Sequence, residues 1–199
     1  KDAQQLQLAI LGSQLKTRQD SLNYADKLAG IYAQDPENDA VLTTLTSTYS
    51  ALGMQNKAEE IVNSALAKNP NSYGALVMMG QFASQKKDYE TAANYLSKAL
   101  EQAKDDNARI AINASIGQCW FYKAQERVAA VKGVLSPAAR AQFNEVYNKA
   151  ISYLETAKKL DTLKEQKSAW AYPLYGCYYF VKGAQAPETL AAAADAGVQ

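Results

Sequence analysis

Residues 39–72, DAVLTTLTSTYSALGMQNKAEEIVNSALAKNPNS, decide the fold. Leu42, Leu45 and Tyr49 are spaced i, i+3, i+7 and fall on one face of a helix. After a turn made by Gly53 and Asn56, Ala58, Val62, Ala65 and Leu66 mark the apolar face of a second helix. Pro70, preceded by Asn69, closes the stretch, because proline cannot continue a helix and biases the residue before it away from helical geometry. The stretch reads helix, turn, helix, stop.

The same pattern recurs at a shift of 34 residues. Leu8, Leu42 and Leu76 superpose, as do Leu11, Leu45 and Met79, then Gly12, Thr46 and Gly80. On the second helix Tyr24, Ala58 and Ala92 align, then Leu28, Val62 and Leu96, then Ile31, Ala65 and Ala99. Pro36 and Pro70 stand in one column, with Lys104 in the third slot.

This spacing resembles the tetratricopeptide repeat, whose pattern sets a large residue, then Leu-Gly, then Tyr on the first helix, and Ala, a larger apolar residue, Ala and Pro on the second. Leu11-Gly12, Tyr49, Ala58, Ala65, Pro70, Gly80, Ala92 and Ala99 carry the resemblance, and Thr46, Tyr24 and Lys104 depart from it. Gly and Ala at those columns leave room for two helices to approach closely. The resemblance implies an all-α, right-handed superhelical solenoid of antiparallel helix hairpins. The expected organisation is a single domain over residues 1–199, with units at about 5–38, 39–72, 73–106, 107–165 and a partial, capping unit at 166–199.

The fourth unit is elongated. Its first helix carries Ile116, Gly117 and Trp120 and its second Ala150, Leu154 and Ala157, but Gly117 and Ala150 are 33 positions apart where Thr46 and Ala58 are 12 apart. The 21 extra residues keep a helical stripe through Ala124, Val128 and Val131, and again through Phe143, Val146 and Tyr147. Both helices are therefore expected to gain about three turns, at roughly 3.6 residues per turn. The tip falls at 132–136, where Gly133 ends one helix, and Ser136 as N-cap with Pro137 behind it starts the next. In the fifth unit Tyr172, Tyr175, Gly176 and Tyr179 repeat Asn113, Ile116, Gly117 and Trp120 at a shift of 59, and Pro187 to Ala194 is expected to form a short cap. Pro173 implies either a late helix start or a kinked first turn.

Composition narrows the function. The 199 residues carry 21 Lys+Arg, 20 Asp+Glu and no histidine. A net charge of +1 gives no general electrostatic reason to bind nucleic acid or an anionic membrane. Without histidine, His-dependent triads, most acid/base relays and many zinc sites are excluded, and no Gly-rich phosphate loop occurs. No catalysis, metal or cofactor is expected. Cys119 and Cys177 stand alone and read as buried apolar residues. The longest strongly apolar stretch, Trp170 to Val181, is 12 residues and too short for a membrane span. The start at Lys1 and the Tyr-, Gln- and Asn-rich composition lead to the expectation of an exported protein of the bacterial cell envelope, with a cytoplasmic location as the alternative.

The resemblance places function on the concave face lined by the first helices. In the first three units that face is small and neutral, with Leu6, Ala9, Ser13 and Lys16, then Ala40, Thr43, Ser47 and Ser50, then Gly74, Val77, Gln81 and Ser84. Gln118, Phe121 and Tyr122, then Trp170, Phe180 and Val181, make it aromatic toward the C-terminal end. Ser47, Gln81, Gln118, Phe121, Tyr122, Trp170 and Phe180 are therefore the candidate peptide-binding residues, with core packing as the competing reading of each aromatic. Lys123, Arg127, Lys132 and Arg140 read as a solvated face rather than a docking patch. The expected function is a non-catalytic scaffold or adaptor for a protein or peptide. The alternative is self-association into a homo-oligomer through the long arm or the C-terminal end.

Overall fold

The computed structural model describes residues 12–13 and 15–198. The expectations for Leu6, Ala9 and the remaining first-unit residues before Gly12 lie outside the described residues. Among the described residues there are nine helices of nine or more residues and no strand: α1 (Arg18–Gln34), α2 (Asp39–Ala51), α3 (Gln55–Lys68), α4 (Tyr73–Gln85), α5 (Tyr89–Glu101), α6 (Asp106–Ala129), α7 (Pro137–Leu160), α8 (Lys167–Lys182) and α9 (Pro187–Ala196). They fall into two compact units, residues 1–79 and 80–199.

In the first unit the starts of α1 and α2 are fixed by side-chain caps, whereas α3 begins after Met54 without one. Thr17 and Asp20 form a reciprocal capping box at α1, and the Asn38 side chain accepts from the Val41 N–H at α2. Gly53, at φ 73°, makes the left-handed turn that sends α3 back along α2. Leu28, Leu42, Leu45, Ala58 and Val62 are 0–1% exposed and form the core between these helices. Asp39 then ties this hairpin to the next helix: its carboxylate accepts from the Ser72 hydroxyl at 2.9 Å and the Gly74 N–H at 3.3 Å.

In the second unit α5 packs on α6, α6 on α7, and α8 on both α6 and α7, with α9 laid against α8. The helices α6 and α7 each have 24 residues, against 13 for α2 and 14 for α3. The turn between them comes where Gly133 (φ 89°) and the Ser136 cap, which accepts from the Ala139 N–H, interrupt the helices. Two glycines show why the repeat survives the insertion. A Cβ on Gly80 would lie 2.7 Å from Leu96 Cγ and 3.4 Å from the Ala92 carbonyl oxygen. A Cβ on Gly117 would lie 2.5 Å from Leu154 Cγ and 3.2 Å from the Ala150 carbonyl oxygen. The socket is the same, and α7 returns to it 21 residues later.

The fifth repeat differs from its expected register. The buried face of α8 is Trp170, Leu174 and Cys177, all 0% exposed, together with Pro173, whereas Tyr172 and Tyr179 are 58% and 52% exposed. Trp170, Pro173, Leu174 and Cys177 thus correspond to Asn113, Ile116, Gly117 and Trp120 at a shift of 57, not 59. Three contacts hold this register. The Trp170 indole donates to Asp161 Oδ2 at 2.9 Å, an interaction buried at the α7–α8 turn. Gly176 takes the edge of the Phe121 ring, whose Cε2 would be 2.7 Å from any Cβ there. Pro173 lies inside a continuous helix, neither starting it late nor ending it. With no N–H, Pro173 leaves the carbonyl four residues back, that of Ala169, without its helical donor, and Gln118 Nε2 of α6 supplies one at 2.6 Å.

The expected cap forms as α9, two residues longer than Pro187 to Ala194. Thr189 and Ala192 are the buried side chains of α9, and Leu190 is 53% exposed. Thr189 donates to the Gly183 carbonyl at 2.8 Å, and Asp195 takes ion pairs from Lys158 at 2.9 Å and Lys164 at 2.7 Å.

Candidate functional site

The seven candidate residues separate into a surface set and a core set. Ser47 on α2 and Gln81 on α4 are exposed, and Tyr122 on α6 is 42% exposed. Phe121 is 1% and Trp170 0% exposed, so neither ring can meet a partner; both belong to the core of the second unit. Phe180 stacks on Tyr147 with ring centroids 4.5 Å apart and lies under the Arg140 guanidinium at 5.1 Å. Arg140 Nη2 also donates to the Phe180 carbonyl at 3.1 Å, so Phe180 buttresses the long hairpin. Gln118 is half-buried with its amide donor committed to Ala169.

The corrected register supplies what the sequence reading missed. At a shift of 57, Tyr172, Tyr175 and Tyr179 fall in the columns of Ser115, Gln118 and Tyr122. Tyr175 thereby takes the column that Ser13, Ser47, Gln81 and Gln118 occupy in the other units. The three α8 tyrosines form a ladder with centroids 6.4 and 6.0 Å apart and rings tilted by 53° and 60°. Tyr122 on α6 pairs separately with Tyr89 at the start of α5, ring centroids 6.0 Å apart. None of Ser115, Gln118, Tyr122, Tyr172, Tyr175 and Tyr179 has a side chain that is charged in its ordinary state at neutral pH. The signal for this face was present in the family pattern: its large first-helix residue is Trp170, not Tyr172.

The hydroxyl-rich helix α2 presents less than its composition implies. Thr43, Thr44 and Thr48 donate to the carbonyls of Asp39, Ala40 and Thr44, at 2.7, 2.9 and 2.7 Å, and so turn methyls and acceptor lone pairs outward.

Where the α6 overhang passes the α4–α5 turn there is a cleft of about 310 Å³ lined by Lys87, Tyr89, Glu90, Lys123, Glu126 and Arg127. Four of its charges are paired, Lys87 with Glu126 at 3.0 Å and Lys123 with Glu90, while Asp88 and Arg127 also line it. These pairs tie the long hairpin to α5 and its preceding turn. Burial pushes the Cys119 thiol up to about 11 and the Cys177 thiol higher still, so neither is a thiolate near neutrality. Among the described residues no three His, Cys, Asp or Glu side chains form a metal-binding group, and no helix is long and apolar enough to cross a membrane.

Comparison with known proteins places this geometry. The profile of the tetratricopeptide repeat family matches residues 56–116. No curated protein sequence matches the chain. Among solved structures, a monomeric mutant of IFIT1 bound to Gppp-AAAA aligns with 94% of this chain and 38% of its own, at a TM-score of 0.67 and 18% identity. A second IFIT1 structure, with m7Gppp-AAAA, aligns with 84% of this chain and 34% of its own at a TM-score of 0.65 and the same identity. A tetratricopeptide repeat protein from Parabacteroides merdae aligns over 88% of this chain and 71% of its own at 15% identity and a TM-score of 0.40. The chain spans little more than a third of the length of IFIT1, and the likeness to it is one of fold.

Proposed function

The chain is a tetratricopeptide repeat protein, and on that premise we propose that it is a non-catalytic scaffold that docks an extended, uncharged segment of a protein partner on the face formed by Tyr122, Tyr172, Tyr175 and Tyr179. The observation that supports this most is the tyrosine ladder of α8, with Tyr172 and Tyr179 exposed and Tyr175 half-buried between them, on a helix whose Trp170, Leu174 and Cys177 are fully buried. Tyrosine offers a partner a broad apolar ring and a hydroxyl at small entropic cost, and it is enriched where binding energy is concentrated. The absence of charge in these columns favours a partner segment read by shape and by hydrogen bonds to its backbone. In the subfamily of tetratricopeptide repeats that grips a C-terminal carboxylate, Lys, Asn and Arg occupy concave-face columns where this sequence has Ala9, Ser13, Thr43, Thr44 and Met78, which argues against a terminal carboxylate as the feature read.

The test is a selection from a displayed peptide library against the full chain, followed by binding to a Tyr172→Ala, Tyr179→Ala variant. Both substituted side chains are more than half exposed, so the variant keeps the wild-type circular dichroism. The expected result is a set of peptides poor in charge whose affinity falls at least about tenfold, a loss of about 1.4 kcal/mol or more. Peptides that bind both proteins alike, or a set dominated by charged residues, would move the site elsewhere.

A further inference from the structure

The near-zero net charge hides a local asymmetry at the far end of the α6–α7 hairpin. Between Arg127 and Asn144 the chain carries Arg127, Lys132 and Arg140 and no acidic residue. At the apex Val134 is 98% exposed and Val131 37%, while Leu135 turns inward against the core. A valine so fully in water at the end of two 24-residue helices contributes nothing to the packing of the hairpin.

The cations stand behind this apolar point. Lys132 is exposed in the turn itself, and Arg127 and Arg140 stand one to two turns back on the two helices. Arg140 is held in place by the Phe180 carbonyl and ring, and Arg127 lies 5.9 Å over the Phe143 ring; both contacts orient the guanidinium groups without neutralising them. Glu126 and Glu145 flank this segment in sequence; in space Arg127 shares a cleft with Asp88, Glu90 and Glu126, of which Glu126 is paired with Lys87 and Glu90 with Lys123, so Lys132 and Arg140 are the cations farthest from acidic neighbours.

We propose that this apex is a docking point for an anionic lipid surface, with Val134 and Val131 entering the headgroup boundary while Lys132, Arg127 and Arg140 meet the headgroup phosphates. An apolar tip followed by a collar of one charge sign matches the layering of a bilayer interface, an apolar phase beneath an anionic one. Two copies of the tip would bring three positive charges on each side together, which argues against tip-to-tip pairing. A nucleic acid would find the phosphate-binding charge but no aromatic ring at the apex on which to stack a base.

The test uses the full chain with vesicles of pure phosphatidylcholine and vesicles of equal parts phosphatidylcholine and phosphatidylglycerol, read by co-sedimentation. Binding is expected on the anionic vesicles alone and is expected to weaken as salt rises. Each basic group near an anionic surface is worth on the order of fivefold in affinity, so Lys132→Glu, which removes one positive charge and adds a negative one, lowers binding by about tenfold or more. Val134→Asp produces a similar loss, and because both side chains are exposed, circular dichroism stays unchanged. A Tyr172→Ala, Tyr179→Ala variant, altered only on the peptide-docking face, binds the vesicles like wild type. The proposal is overturned by equal binding to both vesicle types, by no binding to either, or by variants that bind like the parent. It is also overturned if light scattering shows a wild-type dimer that Val134→Asp dissociates, which would assign the apex to a second copy of the chain.

Discussion

The hairpin α2–α3 and the region α6–α8 solve the same packing problem with different degrees of obedience to the repeat. In α2–α3 the chain keeps the 34-residue period, yet the column that holds glycine at Gly12, Gly80 and Gly117 holds Thr46, and among the described residues its buried hydroxyl has no hydrogen-bond partner. In α6–α8 the period is broken twice, by 21 inserted residues and by a proline inside a helix, yet the glycine socket at Gly117 is intact and the carbonyl freed by Pro173 is bonded by Gln118. Spacing and satisfaction are therefore separate properties. A unit can be regular and carry an orphaned polar group where the repeat expects glycine, or irregular and still bond the carbonyl that its proline frees, even though Asn144 Oδ1 on α7 is itself buried without a partner.

The largest expected effect comes from closing the Gly117 socket. In Gly117→Val the Cβ meets Leu154 Cγ at 2.5 Å and the Ala150 carbonyl at 3.2 Å, and Leu154 is 0% exposed with nowhere to retreat. Overpacking of this kind costs about 3 kcal/mol. A denaturant midpoint unchanged from wild type would show that the α6–α7 hairpin does not depend on the socket. Next in size is Trp170→Phe, which removes the indole donor from Asp161 and opens a cavity in a core position, for a loss of about 2 kcal/mol. If Trp170 were a binding residue, this variant would lose affinity and keep its stability.

These two variants also mark what the sequence made legible. The socket was legible, because Gly at one column and Ala or Leu at fixed distances beyond it can be counted along the chain, even across an insertion. The hairpin tip was legible for the same reason: Ser136 and Pro137 are local signals read without knowing any tertiary partner. The register of α8 was not. Tyr172, Tyr175 and Tyr179 have the i, i+3, i+7 spacing of a buried stripe, and so do Trp170, Pro173 and Cys177. What separates them is tertiary: a carboxylate at Asp161 within reach of the indole, and a glycine at 176 beside the Phe121 ring. The candidate site shares that ambiguity: in the sequence Trp170 and Phe121 fit a binding face and a core stripe equally, and burial assigns both to the core.

The bridge from Gln118 to the proline-freed carbonyl can be isolated by a double-mutant cycle. Gln118→Ala alone leaves the Ala169 carbonyl without a donor and is expected to cost about 1.5 kcal/mol. In a Pro173→Ala background the helix supplies its own N–H to Ala169, and the same Gln118→Ala change should cost no more than about 0.5 kcal/mol. Equal costs in the two backgrounds would mean that the glutamine stabilises α6–α8 by packing alone, and the contrast with α2–α3 would lose one of its two supports.

The smallest effect has the opposite sign and tests the regular hairpin. Thr43, Thr44 and Thr48 all return their hydroxyl protons to carbonyls four residues back, but Thr46, 4% exposed and facing the core, does not. Valine has the same branched shape and similar helix propensity, so Thr46→Val removes the unsatisfied hydroxyl while keeping the space filled. Stability is expected to rise by about 1 kcal/mol. Thr46→Gly, which restores the residue found at Gly12, Gly80 and Gly117, is expected to lower it by about 1 kcal/mol, since it adds backbone entropy to the unfolded chain and empties the column. If glycine proved the better residue here, the close approach of helices would govern this column in every unit. If valine does, α2–α3 has already packed around a side chain, and the hydroxyl is the only part of Thr46 that its core does not accommodate.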